Sequence, residues 1–430
     1  MQIIELIEAT GAKVLAEVDK DLDVKISTDT RTIQKGDFYL PLKGASFDGE
    51  KFINQAFEKG AIGAFCTGDN GTLQVKDTLT AYLQLANYRR KKLNFTVVAI
   101  TGSSGKTTTK ELAASVLSEK FRTFKTPLNH NNEIGFCQTI FEAPDDTEIL
   151  VLEMGMRGLG EIELLSKYAE PDITIISNVG TAHIGRLGSR ENIAKAKCEI
   201  VKYQRGNIFI AHDDELIKKT VQFSGKKIFY SIKDVKILEK DTHYSKFEYY
   251  GNIYELNVGG DYNIENALSA INTGLALGMK VNEIQSGLKK YAPIEKRWEA
   301  VNAGGFEIIN DSYNAIPESM RAFIDTIFEL YEKPVVILGD MGELGEDEIK
   351  YHSELGKYIN SHKNLRQDAE ILSIGKLSKY ITDEVKNCPA KHFKTIEQAA
   401  AYLKNKDTKV QLFLKASRSM KFERIIEELK

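Results

Sequence analysis

Short apolar runs alternate with polar, helix-forming stretches along most of this 430-residue chain. In the middle of the chain, runs rich in β-branched residues predict buried strands, and these runs lie at residues 96–100, 149–153, 173–179 and 207–211. The stretches between them are long enough to form helices. Because strands that alternate with helices favour a parallel sheet covered on both faces, the predicted fold class is α/β.

The same alternation returns near the end of the chain, after Pro293. Further apolar runs predict strands of a second sheet, at residues 306–310, 335–338, 371–374 and 411–414. Helical stretches separate these runs, and this order is typical of a Rossmann-like domain. We therefore expect a Rossmann-like domain at the C-terminal end.

A smaller α/β block comes first along the chain. It contains a predicted strand over residues 36–42 and a predicted helix over residues 51–59. Residues 231–260 alternate only weakly and predict a β-hairpin within the central block. The pattern indicates three domains: a small α/β N-terminal domain, a central parallel-sheet domain and a C-terminal Rossmann-like domain, with predicted boundaries at 1–83, 84–293 and 294–430.

Composition and charge exclude several classes of partner. Hydrophobic residues make up 42% of the chain and charged residues 28%, which is typical of a soluble globular protein. The net charge of −3 gives no reason to expect nucleic acid or an acidic membrane surface, and no stretch approaches the roughly 18 apolar residues of a membrane span. The four cysteines are far apart, so we expect reduced thiols in a cytoplasmic protein. The basic run 89–92 is interpreted as a solvated helix end.

One segment carries the strongest chemical signal. Between the strand over 96–100 and a predicted helix lies the sequence Thr101-Gly102-Ser103-Ser104-Gly105-Lys106-Thr107-Thr108. A strand–loop–helix gathers backbone N–H groups and a helix N-terminus around one small volume, which suits phosphate oxygens. Lys106 adds a charge for the outer phosphates, and the Thr107 hydroxyl can ligate Mg²⁺. The standard phosphate loop has glycine where this chain has Ile100, but the context favours a nucleoside triphosphate over an ordinary Gly/Ser turn.

Two further polar residues follow central strands, at the edge where open α/β sheets bind ligands. Glu153 ends the run over 149–153 and could supply a ligand position for magnesium. His183 lies just beyond the run over 173–179. Since Mg²⁺ prefers oxygen ligands, His183 would be an unusual ligand, and a hydrogen bond within the loop explains this histidine equally well.

Several motifs, in order along nearly the whole chain, resemble those of the Mur ligases, which form amide bonds with ATP in peptidoglycan precursor synthesis. The phosphate loop is one of them. The others are Asn178-Val179-Gly180-Thr181-Ala182-His183, the segment 193–199, Asn131-Asn132-Glu133-Ile134-Gly135, the segment 338–345 with His352, and Lys415-Ala416-Ser417-Arg418-Ser419. Motifs in register are more specific than any single one. The chain departs from the family at Tyr262, where histidine is common.

The resemblance implies a three-domain ligase that uses ATP and Mg²⁺. The expected acceptor is UDP-N-acetylmuramoyl-tripeptide, held through its UDP end by the first domain, and the expected incoming amine is D-alanyl-D-alanine, carried by the last domain. The acceptor carboxylate would become an acyl phosphate and then an amide, giving the pentapeptide nucleotide, ADP and phosphate. We expect a monomer whose last domain closes on the central one.

The resemblance also implies roles for individual residues. Catalysis is expected from Lys106, Lys197, His183 and Glu153, and magnesium is expected at Thr107, Glu153, His183 and a Lys197 carbamylated by CO₂. ATP is expected to contact the segment from Thr101 to Thr108 together with Asn266, Arg297 and Asp311. The substrate side is expected to comprise Ser27, Asp29 and Arg31 at the uridine, Asn131 and Asn132 at the muramoyl peptide, and Asn314, Ser417 and Arg418. For Lys197 a plain helix-surface lysine is the alternative, and for Ser417 and Arg418 an ordinary strand-end turn.

Three other functions stay open from the sequence. The chain could be another ligase of the family that adds an amino acid or glutamate, although Asn131-Asn132 and Glu343-Leu344-Gly345 argue against this. It could be a phosphate-loop NTPase that acts as a switch or motor, although such proteins usually have Asp where this chain has Glu153. It could also be an inactive binding protein, although the combination of candidate catalytic residues makes this a poor explanation.

Overall fold

The computed structural model describes residues 1–44 and 47–430. In the first block, short strands form a mixed sheet in the order β1-β5-β4-β3-β2, in which β1 is antiparallel to β5 and the other pairs are parallel. The strands are β1 Lys13–Val14, β2 Ile26–Ser27, β3 Phe38–Tyr39, β4 Gly63–Cys66 and β5 Leu73–Gln74, and the helices are α1 Ile3–Thr10 and α2 Ile53–Glu58. The strand predicted over 36–42 is shorter in the structure, where Pro41, which has no N–H, follows close behind it.

The next helix, α3, spans Thr78–Leu93 and leads into the central block. The predicted domain boundary after residue 83 falls within this helix, and the domain boundaries stay a prediction. Arg90 on α3 is 1% exposed and donates to the carbonyls of Ala169 and Glu170. The interpretation of residues 89–92 as a solvated helix end is therefore wrong at Arg90, whose side chain ties α3 to the central domain.

The central sheet is parallel throughout, with the strand order β11-β10-β9-β6-β8-β7. Its strands are β6 Thr96–Thr101, β7 Thr123–Lys125, β8 Ile149–Glu153, β9 Ile173–Ile176, β10 Ile208–His212 and β11 Lys226–Tyr230. The helices of this region are α4 Lys106–Leu117, α5 Glu133–Glu142, α6 Glu161–Ala169, α7 Ile184–Leu187, α8 Arg190–Cys198, α9 Glu215–Thr220, α10 Asp261–Ala276 and α11 Val281–Lys290.

Alternate residues of the central strands face two different cores. On β6, Val98 and Ile100 belong to one apolar cluster, while Val97 and Ala99 belong to another. Side chains of a strand point alternately to its two faces, so the sheet is covered by helices on both sides. The prediction of an α/β fold with a doubly covered parallel sheet is confirmed.

The run predicted as a strand over 173–179 is a strand only over Ile173–Ile176. Beyond this strand the Ser177 N–H still donates to the Thr101 carbonyl at 2.9 Å, and the side chains of Ser177 and Asn178 bond to the phosphate loop. The hairpin predicted within 231–260 has a third strand, and the antiparallel sheet is β12 Lys236–Lys240, β13 Ser245–Tyr249 and β14 Asn252–Leu256. Ser245, Phe247 and Tyr249 of β13 are buried, which gives this sheet one face against the core.

The C-terminal sheet has the order β15-β16-β20-β17-β18-β19, and its pairs are parallel except for the antiparallel pair β15–β16. The strands are β15 Glu299–Ala303, β16 Phe306–Asn310, β17 Val335–Gly339, β18 Glu370–Ile374, β19 Ala390–Phe393 and β20 Leu412–Lys415. The helices are α12 Pro317–Leu330, α13 Glu348–Asn360, α14 Lys379–Glu384, α15 Ile396–Leu403 and α16 Glu423–Leu429. This order of strands and helices is the Rossmann-like arrangement that the sequence predicts.

Short 3₁₀ turns complete the secondary structure, at Gly49–Phe52, Glu199–Val201, Ile232–Asp234, Gly345–Asp347 and Arg418–Met420. Across residues 1–44 and 47–430, no helix is both long enough and apolar enough to cross a membrane.

Candidate active site

A cavity of about 460 Å³ lies beyond the carboxyl ends of the central strands. Its volume is in the range of small-molecule sites. The central domain contributes Ser103–Thr108, Asn131, Glu153, Ser177–Gly180, Arg190, His212, Asp214, Tyr262, Asn263, Glu265 and Asn266. The C-terminal region contributes Arg297, Trp298, Asp311, Tyr313, Asn314, Ile316, Glu318, Ser319, Ala322 and Lys415. The cavity therefore lies between two domains.

The phosphate loop is held by the segment that follows β9. The Ser103 and Ser104 N–H groups donate to the Asn178 carbonyl and to Asn178 Oδ1, at 3.1 and 3.0 Å. Ser177 Oγ donates to the Ser104 carbonyl at 2.6 Å, and the Gly180 N–H donates to Ser103 Oγ at 2.9 Å. Because both serines are fixed from the neighbouring strand, the loop is preorganised for a ligand.

Gly105 is required by two features of the loop. It has a left-handed φ of 76°, and a Cβ at this position would lie 2.5 Å from Asn266 Oδ1. Asn266 in turn accepts a hydrogen bond from Thr109 Oγ1 at 3.2 Å. Asn266 therefore lies against the phosphate loop, which brings this sequence-predicted residue to the cavity.

Lys106 lies at the start of α4, and its Nζ donates to the Gly102 carbonyl at 2.8 Å. Burial lowers the pKa of the Lys106 amine, and Arg297 lowers it further, while the carboxylates of Glu153 and Glu343 act in the opposite direction. Arg297 Nη2 donates to Thr107 Oγ1 at 2.9 Å. The arginine thus brings a C-terminal cation to the residue predicted to face magnesium.

Glu153 is 4% exposed at the end of β8. Its Oε1 accepts a hydrogen bond from Asn131 Nδ2 at 2.9 Å, and its N–H donates to Thr126 Oγ1 at 3.0 Å. Within the described residues, Glu153 Oε2 has no hydrogen-bond partner. A buried carboxylate oxygen without a donor is a suitable ligand for a hard cation, so this position fits Mg²⁺.

Asn131 and Asn132 have different environments. Asn131 lines the cavity and contacts Glu153. Asn132 is the N-cap of α5, and its Oδ1 accepts from the Gly135 N–H at 2.9 Å. Because helix capping occupies the side-chain oxygen of Asn132, the structure gives this residue a local structural role and does not place it in the cavity wall.

His183 and Lys197 lie outside the cavity wall. His183 has a left-handed φ of 65°, and its Nδ1 lies 2.5 Å from Glu343 Oε2 of the C-terminal domain. Burial lowers the pKa of His183, with Glu343 opposing this effect and Lys106 and Lys197 adding to it. Lys197 is 1% exposed, and burial together with Lys106 holds the pKa of its amine well below the usual range. The helix-surface alternative for Lys197 is therefore wrong.

The C-terminal region adds an ion pair to the site, in which Lys415 is buried and Asp311 is half-buried. Asp311 Oδ2 pairs with Lys415 Nζ, and Asp311 Oδ1 accepts from the Trp298 N–H at 3.2 Å. Lys415 is 3% exposed at the end of β20 and was missed as a site residue, although it begins the motif that contains Ser417. Asn314 lines the cavity and bonds through Oδ1 to the Ala315 N–H at 2.9 Å.

Besides Asn132, five predicted substrate residues lie away from this cavity. Ser417 Oγ lies 3.2 Å from Ser419 Oγ, and Arg418 pairs with Glu423 at 3.2 Å. The other three form a cluster in the N-terminal domain, made of Ser27, Asp29 and Arg31. There, hydrogen bonds from Arg31 lower the pKa of Asp29 to about 2, and the Arg31 side chain is 88% exposed.

The structure also brings residues to the cavity that the sequence reasoning missed. His212 ends β10, and its Nε2 lies 3.2 Å from Glu265 Oε1 on α10. The rule that ligands lie beyond the carboxyl ends of strands would have found His212, since it ends a strand next to β9. Glu318 of α12 accepts from the Thr181 hydroxyl at 2.8 Å, so it joins the two domains beside the cavity. Nothing in the sequence pattern near Glu318 signalled this contact.

Two family models match successive parts of the chain, and both describe Mur ligase domains. Residues 100–274 match the family model described as Mur ligase middle domain, and residues 296–418 match the model described as Mur ligase, glutamate ligase domain. The chain is 36% identical over 432 residues to the UDP-N-acetylmuramoyl-tripeptide--D-alanyl-D-alanine ligase of Bacillus subtilis, and the alignment covers 94% of this chain and 92% of that protein.

Solved structures with the same architecture extend over almost the whole chain. MurF from Acinetobacter baumannii superposes with a TM-score of 0.88 at 28% identity, covering 100% of this chain and 98% of that one. MurF ligase from Thermotoga maritima in complex with ADP superposes with a TM-score of 0.84 at 28% identity, covering 96% and 98%. The predicted three-domain α/β fold is confirmed by these similarities.

Proposed function

We propose that this chain, which belongs to the Mur ligase family, is an ATP-dependent amide ligase that joins D-alanyl-D-alanine to UDP-N-acetylmuramoyl-tripeptide. The substrate pair is supported by the relatives, whose names carry it and which align with nearly the whole chain. The product would be the pentapeptide nucleotide used in peptidoglycan precursor synthesis. We further propose that the enzyme acts in the cytoplasm as a monomer, and its four free cysteines are in keeping with that compartment.

The observation that carries the proposal is the convergence of Lys106, Glu153 and the Asp311–Lys415 pair on one cavity between two domains. The phosphate loop and Lys106 suit the outer phosphates of ATP. The C-terminal residues line the same cavity, where a second reactant can be held. A site made by two domains allows the reactants to bind separately and to meet when the domains close.

The chemistry follows from the properties of a carboxylate. An unactivated carboxylate is a poor electrophile, so amide formation needs a better leaving group. The acceptor carboxylate attacks the γ-phosphorus of ATP, the bond to the bridging oxygen breaks, and ADP leaves with the electron pair. In this proposal Lys106 and Arg297 stabilise the charge on the phosphoryl oxygens. The dipeptide amine then attacks the acyl carbon and loses a proton, and phosphate leaves from the acyl phosphate.

We assign magnesium to the Thr107 hydroxyl and the Glu153 carboxylate, whose Oε2 has no partner in the described part of the chain. When bound, Mg²⁺ would neutralise charge on the phosphates. Lys197 fits the proposed carbamate because its buried amine has a lowered pKa, and the neutral amine is the form that adds CO₂. For His183 to act as a ligand of magnesium, its Nδ1 would have to leave the contact with Glu343 Oε2.

The N-terminal cluster of Ser27, Asp29 and Arg31 is proposed for the uridine end of the acceptor. Arg31 supports this because its exposed guanidinium is oriented by Asp29 through Nε and Nη2, at 3.0 and 2.7 Å. The muramoyl-peptide end is proposed to approach Asn131 in the cavity wall. Asn132 would act on this end indirectly, through the helix that it caps.

The test is to incubate the purified protein with ATP, Mg²⁺, UDP-N-acetylmuramoyl-tripeptide and D-alanyl-D-alanine, and to follow phosphate release and product mass. We expect phosphate release that requires both co-substrates and yields the pentapeptide nucleotide, with a Lys106→Ala variant as the inactive control. Release without either co-substrate would indicate an NTPase and contradict the proposal. Turnover with a single amino acid but not with the dipeptide would indicate another ligase of the family.

A further inference from the structure

A second lysine on the phosphate helix is more deeply buried than Lys106. Lys110 lies one turn further along α4 and is 1% exposed. Its Nζ donates to the carbonyls of Thr126 and Leu128, at 2.8 and 3.3 Å. Burying an ammonium is costly unless its hydrogen bonds and its charge are both satisfied, so this arrangement needs a reason.

The charge of Lys110 is balanced by two carboxylates. Glu111 Oε1 lies 3.2 Å from the Lys110 Nζ, and Glu153 Oε2 lies 4.0 Å from it. Glu111 also pairs with Lys125, which is 43% exposed. Lys110 is therefore a countercharge on the side of Glu153 where that carboxylate has no hydrogen-bond donor.

The carbonyls that Lys110 holds belong to the segment that leads to Asn131. Leu128 has a left-handed φ of 46° and is 79% exposed, so its own side chain does not anchor this segment. The Thr126 hydroxyl accepts from the Glu153 N–H, and Asn131 Nδ2 donates to Glu153 Oε1. Lys110 thus joins three elements at one point: the phosphate helix, the segment 126–131 and the end of β8.

We infer that Lys110 is a positioning residue that sets Glu153 and Asn131 at a fixed distance from the phosphate loop. This inference rests on the proposed function, since Asn131 is the residue proposed to meet the acceptor. Lys110 acts through Glu153 and the segment 126–131, and it is not among the residues that line the cavity. Its loss would let the acceptor side of the cavity move relative to the phosphate side, while the loop serines and Lys106 keep their own hydrogen bonds.

The test compares Lys110→Met with Lys110→Arg and with Lys125→Met. Methionine at position 110 keeps the length of the side chain but removes its charge and its hydrogen-bond donors, whereas arginine keeps both. Lys125→Met removes the other cation that pairs with Glu111 and leaves the contact between Lys110 and Glu153 in place. For Lys110→Met we expect the KM for the acceptor nucleotide to rise at least tenfold and kcat to fall. The Kd for ADP measured without Mg²⁺, where Glu153 does not act as a metal ligand, should stay within twofold of the original value. Lys110→Arg should recover part of the loss in KM and kcat.

Amide hydrogen exchange of the ligand-free protein gives a readout that does not depend on activity. In Lys110→Met we expect faster exchange at Thr126 and Gly155, whose N–H groups bond to Val151 and Asn131, with unchanged exchange in the N-terminal sheet. An unchanged acceptor KM and unchanged exchange in a folded variant would overturn the inference, as would an equal loss of ADP affinity. If the unmodified protein made no amide at all, the proposed function would fail instead, and the exchange result would still decide whether Lys110 anchors the segment.

Discussion

At the scale of single residues, Lys197 illustrates how burial changes chemistry. A lysine amine that is buried beside another cation is driven towards its neutral form, and a neutral amine can add CO₂ to give an anionic carbamate. The carbamate on Lys197 would be attracted to the Lys106 ammonium, whereas a Lys197 ammonium would be repelled by it. Burial beside a second cation therefore converts an ordinary side chain into a candidate site of modification.

Replacing Lys197 by alanine tests this proposal. We expect ligase activity to fall by at least a hundredfold and to recover in part when a short-chain carboxylic acid such as acetate or propionate is added, because the acid restores the missing anion. Lys195→Ala is the matched control, since Lys195 is on the same helix but exposed, and it should retain activity without added acid. Absence of rescue at every acid concentration would favour a structural lysine.

His352 is a second residue whose protonation matters. It is fully buried on α13, and its Nε2 accepts from the Met341 N–H at 2.9 Å, which holds the loop that carries Glu343. Burial lowers the pKa of His352 below 6.5, although the bond to the Glu348 carbonyl opposes this. The neutral ring is thus the form that the folded protein requires.

The sign of the pH dependence follows from this lowered pKa. Between the folded-state pKa and 6.5, the unfolded chain binds more protons at this position, so the free energy of unfolding falls as the pH falls through that interval. We expect the contribution of neutral His352 to the free energy of unfolding to be fully present above pH 6.5. This pH dependence should be absent from His352→Phe. Urea denaturation at several pH values between 5 and 7.5 measures it. His243→Phe, which replaces an exposed histidine, is the control variant. If the free energy of unfolding had the same slope against pH in His352→Phe as in the unmodified protein, the assignment to His352 would be contradicted.

At the scale of elements, the strand–loop–helix from β6 to α4 depends on Gly105. Alanine at this position would meet both a left-handed backbone, which costs about 1 kcal/mol, and the Asn266 side chain at 2.5 Å. We expect Gly105→Ala to lose most of its ADP affinity, because the loop must shift away from Asn266.

Gly278→Ala separates these two effects. Gly278 has a similar left-handed φ of 69°, but a Cβ there meets nothing within 4 Å. Both variants should be destabilised in thermal unfolding, Gly105→Ala the more strongly because it adds the clash with Asn266, and only Gly105→Ala should lose ADP affinity, as measured by titration calorimetry. Equal ADP affinity in the two variants would show that the contact with Asn266 does not matter.

At the scale of the whole molecule, the backbone of the C-terminal domain contacts that of the central domain at one seam, where Gly185 lies against Glu343 and Gly345. The Gly185 N–H donates to the Glu343 carbonyl at 3.3 Å, and a Cβ on Gly185 would lie 2.7 Å from the Gly345 nitrogen. Glu343 also reaches His183, and Glu318 reaches Thr181. The described arrangement therefore brings the two walls of the cavity together.

A substitution at the seam should hold the domains apart. We expect Gly185→Ala to have a larger radius of gyration than the unmodified protein in small-angle scattering with an ATP analogue and acceptor, and a kcat at least tenfold lower. Gly342→Ala is the control on the same loop, because its Cβ would meet only Ser417 at an ordinary 3.7 Å. Identical scattering curves for all three proteins would contradict a role of this seam in closure.

The sequence by itself determined the elements with the clearest local pattern. The strands β6, β8 and β16 agree with the predicted runs to within one residue, because a buried strand needs an apolar run with turn residues at its ends. The phosphate loop could also be recognised locally, since its geometry depends on Gly102, on Gly105 and on the helix that follows. The resemblance of several motifs in order then indicated the family.

Only the tertiary structure decided which side chains share an environment. Lys110 and Glu318 gave no local signal, and Lys415 was recognised only as the start of a motif, because their partners are brought to them by the packing of distant segments and domains. Packing also separated Asn132, which caps a helix, from its neighbour Asn131, which faces the cavity. Burial and charge at a site are sums over segments far apart in the chain, and periodicity along the sequence carries no information about them.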